Sequence, residues 1–177
     1  MSRYRFQYFV EGDTEKKIIE EFKKEQSLIV SGTVNKFNVI EKIIPNAAIT
    51  NLRSNTIAIL VFDTDKKVVS ILQENIIRLK RCKNIKEIWC VMQVDNLEDE
   101  LIRATDVKQI KDLIGCRSNK DFKRDFLREK RLMIKLRNHH FQIDKMWVTD
   151  PSEEYKLFQN DGKRIIRHKR RKNEPTV

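Results

Sequence analysis

Apolar and polar positions along the chain follow two alternating rhythms. Residues 3–10 (RYRFQYFV) and 56–65 (TIAILVFDTD) are dense in aromatic and β-branched side chains, and the second run is apolar on both faces. Such a run predicts a strand buried in the middle of a sheet. Each is followed by a stretch of helical period. Ile18, Ile19 and Phe22 recur at helical spacing within residues 15–27, with Lys and Glu covering the other face. Val68, Ile71, Leu72, Ile76 and Leu79 form one stripe over residues 67–82, and residues 86–94 (KEIWCVMQV) predict the next strand. Strand, helix, strand in this rhythm is a parallel unit with a right-handed crossover.

The pattern is weaker elsewhere. Ser31-Gly32-Thr33 predicts a turn, and residues 36–44 predict a second strand, although their spacing also permits a helix. Pro45 ends that segment, and a short helix over 46–53 leads into the central strand. A helix over 107–114 stops at Gly115, and a longer one starts with Ser118 as its N-cap. Residues 128–137 predict a basic amphipathic helix around Leu132, Ile134 and Leu136, and residues 141–148 (FQIDKMWV) a last strand. Tyr155 and Phe158 are expected to anchor the following segment on the core. Together these elements predict an α/β fold with a mostly parallel central sheet and helices on both faces. It is expected to form one domain over residues 1–160, with a basic tail over 161–177.

The chemistry gathers where the strands end. The first strand closes on Glu11, followed by Gly12, Asp13, Thr14 and Glu15, a tight turn into a helix that Asp13 or Thr14 is placed to cap. The central strand closes on Asp63 and Asp65, two carboxylates that point the same way if the strand continues through them. In an open parallel sheet, ligands bind beyond the carboxyl ends of the strands. Glu11, Asp63 and Asp65 converging there make a site for a hard, oxygen-loving cation such as Mg²⁺ or Mn²⁺. The strand over 86–94 also ends in acids, and Asp95, Glu98 and Glu100 are the alternatives for a further ligand.

These residues carry a resemblance. FVEGDTEKKII followed by ILVFDTD resembles the two signature motifs of the Toprim domain: a Glu-Gly turn after the first strand and an Asp-x-Asp after a central one. The form with a helix directly after E-G-D-T-E is most similar to the Toprim-type nucleases of the OLD and RloB-like groups, often linked to phage defence. Lys66 and Lys67 stand where a glycine commonly follows Asp-x-Asp. The resemblance implies metal-dependent cleavage of phosphodiester bonds in DNA or RNA, with Glu11, Asp63 and Asp65 as ligands. NLEDEL resembles the D-L-E motif of the OLD-type enzymes, which implies Glu98 as a second-metal ligand. The same pattern implies a lysine facing the metals; Lys120 matches its place, and Lys123 is the alternative three residues on. The chain carries no G-x-x-x-x-G-K-[ST] motif, so the resemblance also implies a separately encoded ABC-type ATPase as partner.

Charge and cysteine content narrow the partners. The 177 residues carry a net charge of +11. A basic protein with an acidic site suits a polyanion, the basic surface holding phosphates while the acids hold metal. The candidate nucleic-acid contacts are Lys123, Arg124, Arg128, Lys163, Arg164, Arg167, Lys169, Arg170 and Arg171. Three cysteines without CxxC spacing argue against a disulfide framework or a zinc site, and fit reduced thiols in a cytoplasmic protein. No apolar run approaches the length of a membrane span, so no membrane association is expected. His139 and His140 have no metal-ligand pattern around them. The competing reading is a non-catalytic nucleic-acid-binding subunit of a two-component system. A receiver-like domain fits less well, because its acid pair closes the first strand and its lone Asp the third.

Overall fold

The computed structural model of the protein describes residues 4–24 and 28–167. Among the described residues, β1 (Arg5–Val10), β2 (Thr33–Lys36), β3 (Thr56–Asp63) and β4 (Ile85–Gln93) form one sheet in the order β2-β1-β3-β4, and every pair is parallel. Seven of the eight residues of β3 are buried, as expected for a strand apolar on both faces. The fold is α/β.

Helices cover both faces because each strand alternates its side chains between two cores. On one side Tyr8, Val10, Ile59, Val61 and Val91 pack against α1 (Asp13–Lys24), α4 (Leu97–Arg103), α5 (Ile110–Ile114), α6 (Phe122–Arg128) and α7 (Leu132–Asn138). On the other, Phe9, Leu60, Phe62 and Met92 pack against α2 (Asn46–Thr50), α3 (Ser70–Lys80) and Tyr155. The α3 stripe of Leu72, Ile76 and Leu79 is buried as its spacing predicts, whereas Val68 precedes the helix and is exposed.

Two predicted strands take other forms. Residues 37–44 do not extend β2, because side-chain amides hold their backbone in turns. The Asn38 Oδ1 accepts from the N–H groups of Ile40 and Glu41, each at 3.0 Å. The fully buried Asn75 of α3 donates to the carbonyls of Val39 (2.9 Å) and Lys42 (2.8 Å) and accepts from the Ile44 N–H. The strand begins earlier instead, at Thr33. Gly32 is needed there, since a Cβ would lie 2.4 Å from the Phe6 carbonyl oxygen. Residues 141–148 contain a 3-10 turn at Ile143–Lys145, and Trp147 has a left-handed φ of 57° that no strand permits. The outer edge of β4 is taken by residues 160–161: Asn160 bridges Cys90, and Asp161 donates its N–H to the Cys90 carbonyl at 2.6 Å.

The basic run over 128–137 is likewise not one helix. Lys17 donates through Nζ to the carbonyls of Leu127 and Glu129, closing α6 before α7 starts at Leu132. Ser118 bonds Asp121 at 2.7 Å and precedes a 3-10 turn (Asn119–Asp121) rather than capping a long helix.

The segment expected to begin a tail at residue 161 is part of the fold as far as Arg167. It contains α8 (Gly162–Ile165), buries Ile165 and Ile166, and bridges Ile166 to Ile29 in antiparallel fashion. Lys169, Arg170 and Arg171 lie outside the described residues. No helix among the described residues is long and apolar enough to cross a membrane.

Candidate functional site

The strand order decides where a site can form. From β1 the chain crosses to β2 on one side, then returns to β3 on the other, so the connections diverge between β1 and β3. The carboxyl ends of those two strands are the switch point at which open α/β sheets leave a crevice. Glu11 follows β1 directly and Asp63 is the last residue of β3. Their adjacency is locked by a hydrogen bond, the Asp63 N–H donating to the Glu11 Oε2 at 2.8 Å.

Both carboxyls sit in an environment hostile to negative charge. Burial, and then the charges of Glu11, Glu15, Glu98 and Asp65, push Asp63 up to about 9. Burial also pushes Glu11 up to about 7; the bond from the Asp63 N–H opposes this, while Glu15, Asp65 and Glu41 add to it. The Asp63 Oδ1 is buried and has no hydrogen-bond partner. An all-oxygen set around an unpaired buried carboxylate oxygen fits a hard divalent cation. Among the described residues, no three His, Cys, Asp or Glu groups stand as a ready ligand cluster. Mg²⁺ does not require one, since it commonly takes one or two carboxylates and completes its shell with water and substrate phosphate.

Two open clefts flank the pair. One, of about 420 Å³, is bounded by Glu11, Glu15, Glu41 and Lys66; the other, of about 450 Å³, by Glu98, Asp99, Lys108 and Asn119. Asp63, Asp65 and Lys123 line both. Regular β3 ends at Asp63, but buried Thr64 continues the pairing by donating its N–H to the Gln93 carbonyl at 3.0 Å, leaving Asp65 exposed on the shared wall. A larger cleft, of about 750 Å³, opens at the amino ends of β1 and β3 around Arg5, Arg53 and Thr56. It contains none of the acids.

The acids after β4 separate into distinct roles. Glu100 is fully buried and structural: it accepts from the N–H of Val94 (2.9 Å) and of Trp147 (2.8 Å) and from the Arg103 guanidinium (2.9 Å). Asp95 is exposed, with a left-handed φ of 66°, and donates its N–H to Thr64. Glu98, on the first turn of α4, faces the cleft. Its partner is Lys123 at 3.4 Å. Burial alone would lower the Lys123 pKa, but Glu98, Glu15 and Asp63 outweigh it and hold the ammonium charged.

Lys120 is exposed on the 3-10 turn and lines neither cleft, whereas Lys123, the other candidate three residues on, lines both. Among the predicted phosphate contacts, Arg128 and Lys163 are exposed. Arg124 is held by Asp121 (3.0 Å) and Asp125 (2.8 Å). Arg164 is a structural clamp rather than a free contact: it stacks on Trp89 at 4.2 Å and pairs with Glu87 (2.6 Å) and Asp161 (3.3 Å). Exposed Arg167 is tied at its backbone to Leu28.

Three residues of the site carried no separate signal. Glu15 sits three positions after Gly12, where a helix-capping carboxylate is ordinary. It is buried, accepts from Thr14 at 2.9 Å, and its Oε2 would lie 2.7 Å from a Cβ at position 12, so glycine there makes room for it. Gln93 ends β4 beside Asp63. Tyr155 stacks on Phe62 with its hydroxyl buried and unpartnered; burial, followed by Asp65, Glu11 and Asp63, pushes it up to about 12.

Comparison of the chain with protein-family models, with curated proteins and with solved structures finds no match. The reading of the site therefore rests on its own geometry and on the motifs.

Proposed function

We propose that the protein is a Toprim-like nuclease domain that cleaves phosphodiester bonds in DNA or RNA with Mg²⁺ or Mn²⁺. The observation that carries this reading is the pair of acids closing the two central strands at the switch point, one with a buried carboxylate oxygen lacking any partner. Glu11 and Asp63 are the residues that would hold the cation, with Asp65 and Glu98 on the cleft wall. The bound cation would supply Lewis-acid polarisation of the scissile phosphate and a more acidic attacking water.

The chain's own groups do the rest. Glu11, fixed by the Asp63 N–H, sets the spacing of the two carboxylates. Lys123, charged and on the wall of both clefts, is placed to neutralise charge developing on a phosphate oxygen once substrate competes with Glu98 for it. Exposed cations such as Arg128 hold the backbone of the polyanion without reading its sequence. A separately encoded ATPase as partner, and a role in phage defence, belong to the same proposal.

A second reading is a binding subunit that does no chemistry alone. The Lys123–Glu98 pair favours it, because it already places a cation of the chain's own in the acidic cleft. Cleavage assays with Mg²⁺ or Mn²⁺ on single- and double-stranded DNA, structured RNA and tRNA, with and without a candidate ATPase, decide between the two. Cleavage abolished by EDTA, by Asp63→Asn and by Glu11→Gln supports the nuclease. Binding with no cleavage under any of these conditions leaves the binding subunit.

A further inference from the structure

Gln93 is the last residue of β4 and stands in register with Asp63 of β3. Neighbours in register on parallel strands project to the same face of the sheet. Gln93 is fully buried, and neither its Nε2 nor its Oε1 has a partner. The Asp63 Oδ1 beside it is also buried and unpartnered. A buried amide without hydrogen bonds is costly, and so is a buried carboxylate oxygen without a donor. One donor and one acceptor, on adjacent strands and on one face, answer each other. We infer that Gln93 is the positioning residue for Asp63: its Nε2–H donates to the Asp63 Oδ1, directly or through one buried water, taking one of the carboxylate's lone-pair sites and leaving the others for a cation in the cleft.

The backbone permits nothing else to adjust. The Gln93 carbonyl accepts from both the N–H (3.0 Å) and the hydroxyl (3.3 Å) of Thr64, and Thr64 in turn accepts from the Asp95 N–H at 3.1 Å. Gln93 is thus pinned at its main chain, as Asp63 is by its N–H to Glu11, and only side-chain torsions bring the amide and the carboxylate together. The amide's other end has candidate donors on the same face, the buried and unpartnered Trp147 Nε1 and Arg103 Nε. With Oε1 toward these and Nε2 toward Asp63, both ends of the amide are matched in sign.

This inference rests on the proposed metal site, and its test separates the two. Gln93→Met keeps the length of the side chain and removes the amide. Mn²⁺ titrated into the full chain should bind Gln93→Met about 10-fold more weakly than wild type, the loss typical of a group that orients a ligand. The melting temperature should fall modestly as well, because Asp63 and the donors at the amide's other end lose their partner. Unchanged Mn²⁺ affinity, whatever the melting temperature, would overturn the inference and assign the amide to Trp147 or Arg103. A wild type that binds no Mn²⁺ would overturn the metal site, and the contact is then decided by the spectrum alone. An ¹⁵N–¹H spectrum tests the contact without metal, and without requiring Gln93→Met to fold well: the Gln93 side-chain amide pair should shift in Asp63→Asn. An unmoved pair contradicts the proposal.

Discussion

Asp63 is the residue on which the account turns, and its environment has a consequence for stability. A carboxyl whose folded pKa is raised stabilises the fold while protonated. That stabilisation is complete below the unfolded value and is lost as pH rises through the folded one. For Asp63 the window runs from the ordinary 3.8 up to about 9, and for Glu11 from 4.5 up to about 7. Metal-free wild type should therefore lose stability between pH 5 and pH 9, and Asp63→Asn should lose less. At pH 8 in EDTA the variant should melt at least about 3 °C higher than wild type, equivalent to roughly 1 kcal/mol for a chain of this size. Thermal melts at several pH values check this. A variant that melts below wild type at pH 8 would show that the carboxylate is already compensated within the fold.

At the scale of elements, Glu100 shows why an acidic run in a sequence cannot be sorted by composition. Glu98 and Glu100 stand two apart on α4, yet only Glu98 reaches the cleft, while Glu100 ties the end of β4, α4 and the Trp147 turn together. Glu100→Ala leaves two backbone N–H groups unpaired and Arg103 with the Val94 carbonyl but no carboxylate, and should cost about 3–5 kcal/mol in a urea melt. Glu98→Gln should leave the melt unchanged and weaken cation binding. Equal effects of the two on stability would contradict the division of roles. The same contrast explains what was legible in advance. β1, β3, β4 and α3 announce themselves through long runs of strong period, and with them Glu11, Asp63 and Asp65. β2 and the segment over 141–148 do not, because Asn38, Asn75 and Glu100 capture backbone groups that apolar spacing alone assigns to strands. Of the two lysines the sequence offers, Lys123 lines the clefts because the helix begins at Phe122, which leaves Lys120 on the preceding 3-10 turn.

For the whole molecule, the basic C-terminal run carries the core residues Ile165 and Ile166. Deleting residues 163–177 strips Ile165 and Ile166 from the core and should destabilise the protein, whereas deleting 168–177 leaves both in place. The shorter deletion removes Lys169, Arg170 and Arg171. It should flatten the dependence of log K on log salt for duplex DNA by roughly 0.9 for each phosphate those cations neutralise. An unchanged slope assigns that run another task. The division between a basic surface and an acidic crevice depends on the crevice taking a divalent cation, and calorimetric titration of Mn²⁺ into wild type and Asp63→Asn at neutral pH tests that most directly. The account predicts saturable binding to the wild type that Asp63→Asn loses while remaining folded. Binding that is absent from the wild type, or equal in both proteins, would contradict it.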